Sequence, residues 1–123
     1  DSFDVSAKQA AVMGVAFNTD GTKMFIVGET EDTVAQYALS TGFDVSTASF
    51  TQTFSIASQE TEAQSLTFNT DGTKMFIVGD TGNDISEYTL SSGFDVSTAS
   101  FVDSFSLAQL ASVLPLKKHT LKA

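Results

Sequence analysis

The chain has no cysteine and no arginine, one proline and one histidine. Without cysteine there are no disulfides, no thiolate metal ligands and no thiol nucleophile. Six lysines stand against fifteen acidic residues, for a formal net charge of −9. That balance argues against a nucleic-acid partner, because binding phosphates needs clustered Lys and Arg. Acidity of this size gives solubility and like-charge repulsion, and leaves cation binding open without implying it. The single histidine, His119, stands near the C-terminus with no neighbouring residue to share a metal, so neither a metal centre nor a Ser-His-Asp arrangement is expected. No apolar run is long enough to span a bilayer. The N-terminus shows no basic-then-apolar signal pattern, which a trimmed chain would not show either.

What the chain does have is a repeat. Phe17-Asn-Thr-Asp-Gly-Thr-Lys-Met-Phe-Ile-Val-Gly28 returns letter for letter as Phe68 to Gly79, a register of 51 residues, and Gly42 to Phe50 returns as Gly93 to Phe101 at the same offset. A fixed period of this length marks a solenoid, propeller or array, in which each unit covers its apolar faces with neighbouring units. Within each copy the pattern is that of short strands. Gly14–Asn18 and Lys23–Val27 flank Thr19-Asp-Gly-Thr22, a tight turn in which Asp can bond its own backbone and Gly accepts positive φ. Lys23–Val27 is apolar on consecutive residues, which predicts cover on both faces. Thr33–Leu39 and Phe50–Ile56 follow, the last alternating Phe54 and Ile56 inward with Thr53 and Ser55 outward. Between them Asp44 or Ser46 can cap a helical turn. The second copy predicts strands at 66–68, 74–78, 84–90 and 101–107. Asp1–Ser6 matches the fourth strand once more, so an extra rim strand is expected there. The expected organisation is therefore 1–6 extra rim strand, 7–56 first unit, 57–107 second unit and 108–123 a C-terminal tail interrupted by Pro115 and carrying Lys117, Lys118 and Lys122.

Four short antiparallel strands in about 50 residues make the blade of a β-propeller. A sandwich of two four-stranded halves is the competing architecture, disfavoured because near-identical sheets would need self-complementary faces at one angle. The stretch Val15-Ala-Phe-Asn-Thr-Asp-Gly-Thr-Lys-Met-Phe-Ile-Val27 also resembles the core motif of YVTN-type and NHL-like propeller blades, and Thr33–Leu39 resembles their next strand. Thr19 and Thr70 stand where that family often has Pro, and Met24-Phe25 near its usual Tyr-Val. The resemblance covers both copies, to about Leu107. It implies an all-β propeller fold and carries over no catalytic residue.

Two blades cannot close a ring, which typically takes about 4–8. An isolated pair is expected to expose its flanks, with Met24, Phe25, Val27 and Tyr37 and their counterparts Met75, Phe76, Val78 and Tyr88 forming blade–blade interfaces. The expected partner is therefore the chain itself, three or four copies closing a cyclic homo-oligomer. The acidic residues Glu29, Glu31, Asp32, Asp80, Asp84, Glu60 and Glu62 fall on loops at one face and form a candidate binding rim; a solvated set of loop carboxylates is the plainer alternative for any one of them. The Asn-Thr-Asp-Gly turns lack the alternating acids and distal Glu of a calcium loop. Phe43, Phe50, Phe94 and Phe101 could stack on sugars, but packing between blades is the stronger expectation. No cofactor is expected. The function this favours is a non-catalytic, self-assembling binding module for a protein, glycan or small molecule, in an extracellular or cell-surface setting. A lactonase-like hydrolase and a structural piece of a surface array are the alternatives.

Overall fold

The computed structural model describes residues 1–80 and 83–106. Each repeat folds into one four-stranded antiparallel sheet with its strands in chain order. The first holds β1 (Val12–Phe17), β2 (Lys23–Gly28), β3 (Thr33–Leu39) and β4 (Ala48–Ser55). The second holds β5 (Ala63–Phe68), β6 (Lys74–Gly79), β7 (Asp84–Leu90) and β8 (Ala99–Ser106). Each is the sheet of a propeller blade. The inner and outer strands start two or three residues earlier than the hydropathy pattern suggested, because backbone pairing continues past the apolar stretch.

The Asp-Gly turn forms as its residues dictate. Asn18 N donates to Lys23 O (3.1 Å) and Gly21 N to Asn18 O (3.2 Å), while Asp20 Oδ1 accepts from Thr22 Oγ1 (2.6 Å) and Thr22 N (3.1 Å). Those bonds, the hydroxyl's first, hold the Asp20 carboxyl below its ordinary range. Gly21 has φ +74°, and a Cβ there would lie 2.4 Å from the Phe43 ring. Phe43 is itself left-handed at φ 62°, a conformation it holds by folding back over the bare glycine and against Phe17, ring centroids 5.4 Å apart. Asp44 then caps a 3-10 turn, Val45–Thr47, by accepting from Ser46 N.

The β2–β3 register divides each sheet into two faces. Phe25 pairs with Gln36 and Val27 with Val34 on one; Met24 pairs with Tyr37 and Ile26 with Ala35 on the other. In β4 the pairing slips, so that Gln52 opposes Gln36 but Phe50 opposes Tyr37. The bulge sends Phe50 to the Tyr37 face, rings 5.8 Å apart, and leaves Gln52 and Phe54 on the Phe25 face. Plain alternation would have put all three together.

The Phe25 face of the first blade packs on the Tyr88 face of the second. Phe25, Val27 and Val34 share one core with Leu66, Met75, Ile77 and Tyr88. The inner strands β1 and β5 run close together: a Cβ on Gly14 would come within 3.0 Å of Ser65 Cα, so glycine at this position permits the approach.

Residues 1–6, expected as an extra rim strand, pair with neither sheet of the chain. A strand needs a ladder. In the repeat that ladder is the third strand of the same blade, as Val34 opposes Phe54, and among the described residues both third strands are already paired with their own fourth strands. The segment nevertheless follows the path of its repeat counterpart. Phe3 meets Tyr37 edge-on at 5.6 Å, as Phe54 meets Tyr88 at 5.6 Å. Lys8 N and Gln9 N donate to Val5 O, as Gln59 N and Glu60 N donate to Ile56 O. The tail at 108–123, with His119, lies outside the described residues.

Candidate functional site

Positions identical by repeat have different surroundings at the two ends of the pair. Leu66, facing the first blade, is 6% exposed, while its counterpart Val15, which faces no other described blade, is 53% exposed. Phe25 is fully buried, while its counterpart Phe76 is only half-buried. Phe54 is half-buried between blades, while Phe105 is 55% exposed. One open set (Val12, Val15, Phe43) thus belongs to the first blade and another (Phe76, Val78, Ile85, Phe105) to the second. The second set borders a cleft of about 430 Å³ lined by Phe76, Ile85, Glu87, Asp103, Ser104 and Phe105.

The flank residues sort accordingly. Phe25, Val27, Met75 and Tyr88 meet inside the chain, and Phe76 and Val78 stand on the open flank. Met24 and Tyr37, expected to be bare in an isolated pair, are buried instead, because Phe3, Val5, Val45 and Ala48 cover them. Two of these, Phe3 and Val5, belong to the segment expected as a rim strand.

Polar groups seal the join between the blades. Gln52 Nε2 donates to Gln36 Oε1 (3.0 Å) and to Asp95 Oδ1 (2.9 Å). Val96 N donates to Gln36 Oε1 (3.1 Å), and Lys23 Nζ donates to Phe94 O (3.2 Å). Bonds from Ser97 Oγ and then Gln52 hold the Asp95 carboxyl below its ordinary range. Gln36 is buried, and its Oε1 accepts both bonds at the join, as burial of a polar atom requires.

The acidic loop residues share one edge, where β1 and β3 start and β2 and β4 end in the first sheet and their counterparts do so in the second. Glu29 Oε2 accepts from Gln64 Nε2 (2.5 Å), and Glu31 Oε1 from Ala10 N (2.9 Å). Asp80 N donates to Glu62 O (3.1 Å), and Glu62 N to Glu60 Oε2 (3.0 Å). Asp32 is left-handed at φ 56°. Glu60 is buried and Asp84 half-buried. They are spread along the edge: among the described residues no group of three or more His, Asp or Glu could hold a metal. Of Phe43, Phe50, Phe94 and Phe101, Phe94 packs between blades, on Phe25 and Phe68. Phe43, Phe50 and Phe101 are exposed: Phe43 folds over its turn as Phe94 does but lies on the open flank of the first blade, and Phe50 and Phe101 lie beyond the bulge on the outer strand.

The residues that sequence reasoning passed over are the buried Gln9 and Gln36. Gln9 Nε2 donates to Thr33 O (2.7 Å) and Thr33 Oγ1 (3.2 Å). A position-by-position reading of the two copies carried the signal. Gln9, Thr33, Gln36 and Gln52 in the first blade become Glu60, Asp84, Glu87 and Asp103 in the second. Of these, Gln36 and Gln52 lie on the face covered by the second blade, while Glu87 and Asp103 line the open cleft. Burial, then Asp84 and Glu60, push the Tyr88 hydroxyl up to about 12; burial, then Asp4, raise Tyr37.

No protein-family model matches the chain, and no curated protein does either. Among solved structures the fold is similar to a protein of Bacteroides fragilis described as a candidate 6-phosphogluconolactonase, with a TM-score of 0.56 and 15% identity. The match covers 74% of this chain and 24% of that one, so the chain spans about a quarter of that protein's length. At this identity the likeness concerns the fold.

Proposed function

We propose that the chain is a non-catalytic blade-pair module that builds a larger propeller by head-to-tail association of its copies and offers its acidic loop edge for binding a protein or glycan. One observation carries this reading: what is covered at the internal join is open at the two ends, as Leu66 against Val15 and Phe54 against Phe105. By the repeat, the open set of the second blade fits the open set of the first in a further copy, a heterologous contact that closes when the rotation allows. Three or four copies would give six or eight blades, within the usual range of about 4–8. The contact requires residues 1–6 to yield Tyr37 to Phe105 of the preceding copy, so the segment acts as a removable cover. Repeated loops would then supply avidity for a ligand. Light scattering at about 200 µM protein and about 0.5 M salt is the test. A mass of three or four times 13.0 kDa is expected; a monodisperse monomer under those conditions overturns the reading.

A further inference from the structure

A join between copies would use the same backbone as the internal join and apolar residues at the same positions, with Phe76, Val78 and Phe105 for Phe25, Val27 and Phe54, but not the same polar residues. Inside the chain the second blade offers Phe94-Asp95-Val96, whose amide and carboxylate meet Gln36 and Gln52. A second copy would offer Phe43-Asp44-Val45, the same three residues in the same capped turn: Asp44 accepts from Ser46 as Asp95 accepts from Ser97. The receiving flank has changed. Glu87 stands for Gln36 and Asp103 for Gln52, opposed across β7 and β8 as the glutamines are across β3 and β4. Both line the open cleft, with Phe76, Ile85 and Phe105. Among the described residues no segment covers it.

The consequences differ for each replacement. A carboxylate at 87 can still accept from Val45 N, as Gln36 Oε1 accepts from Val96 N. At 103 the donor is lost: the amide of Gln52 donates to Asp95, whereas an ionised carboxylate only accepts. It would face the carboxylate of Asp44. At the internal join one lysine, Lys23, faces one acid, Asp95. At the join between copies one lysine, Lys74, already 3.6 Å from Glu87, would face three acids: Glu87, Asp103 and the incoming Asp44. Like charges brought together at an interface oppose association and set partner choice.

We propose that the open flank of the second blade receives the Phe43–Val45 turn of a second copy, and that Glu87 and Asp103 hold this contact weaker than the internal join and make it depend on ionic strength. The apolar part of the flank supplies the attraction, and the two carboxylates set its strength. The inference rests on the head-to-tail reading above and concerns the chemistry of that contact.

The test is sedimentation equilibrium of the full chain from low to about 0.5 M NaCl, where screening shortens the reach of charge to a few ångströms. The paired variant Glu87→Gln/Asp103→Gln restores the first blade's amides on the open flank. Glu62→Gln/Asp80→Asn, which removes the same charge from the loop edge, is the control. The wild type is expected to associate more tightly as salt rises. The restored variant should associate at least tenfold more tightly at low salt and respond less to salt, with the control resembling the wild type. Equal association of wild type and restored variant overturns the inference and leaves the head-to-tail reading standing, as does a control that matches the restored variant. Adding Val15→Asp to the restored variant separates the two claims: it should abolish association, and association that survives it refutes the head-to-tail geometry. A restored variant that stays monomeric at about 200 µM refutes both.

Discussion

One repeat position occurs three times as phenylalanine with three different surroundings, which makes it a graded test of the packing. Phe54 lies between the blades, edge-on to Tyr88 at 5.6 Å. Phe3 meets Tyr37 at 5.6 Å but hangs from a terminal segment with no strand ladder. Phe105 is 55% exposed. Truncating a well-buried Phe costs about 3–5 kcal/mol, the lost transfer energy plus the cavity. Phe54 is only half-buried, so Phe54→Ala should cost about 3 kcal/mol, the edge-on pair included. Phe3→Ala should cost about 1 kcal/mol, because the segment can fray and collapse over the gap. Phe105→Ala should change stability by less than about 0.5 kcal/mol, as for a surface site. At about 4 °C per kcal/mol for a chain of this length, the melting temperature should fall by about 12, 4 and under 2 °C. Circular dichroism melts at about 5 µM, where contact between copies is minor, read this order. Equal losses at 54 and 105, or no loss at 3, would refute the assignment of blade flanks. At high concentration the wild-type melting temperature should rise, and Phe105→Ala should abolish that rise.

Other outcomes follow from single contacts. Gly72→Ala forces a side chain at φ +73° to within 2.3 Å of the Phe94 ring; it should destabilise by at least about 2 kcal/mol in urea unfolding, since strain and a displaced core ring combine. Gln9→Glu replaces a buried donor to Thr33 O and Thr33 Oγ1 with a carboxylate; a loss of about 2–4 kcal/mol is expected by the same measurement. Asp95 has a depressed carboxyl pKa in the fold, so the stability it contributes is present above the unfolded value and lost as pH falls through the folded one. Melts of Asp95→Asn should therefore show a smaller loss on acidification below about pH 4 than the wild type. Tyr88 runs the other way: its pKa, raised to about 12, gives stability present below the unfolded value and lost between about pH 10 and 12, and Tyr88→Phe should flatten that alkaline loss.

The all-β class, the two units and their strands were legible because the 51-residue identity and the Asp-Gly turns are local signals. A turn that needs positive φ names its glycine, and a strand covered on both faces names itself by consecutive apolar residues. Much of the site was not legible. The bulge that splits Phe50 from Gln52 and Phe54 depends on how many residues of β4 oppose each residue of β3, which alternation alone does not encode. The role of Gln36 depends on which backbone groups the second blade brings to it, and that of Gln9 on where its segment folds back over Thr33.

By itself, the sequence determined a repeated four-stranded sheet with a fixed turn and apolar flanks. Tertiary structure alone decided which flank is covered and by what. Residues 1–6 have the composition of a rim strand, yet they join neither sheet, and Phe3 and Val5 lie over Met24 and Tyr37. Phe54 and Phe105 carry the same side chain at the same register, and only the presence of a neighbouring blade buries one and leaves the other in water. Burial is a relation between distant parts of the chain, so identical letters can meet different physics.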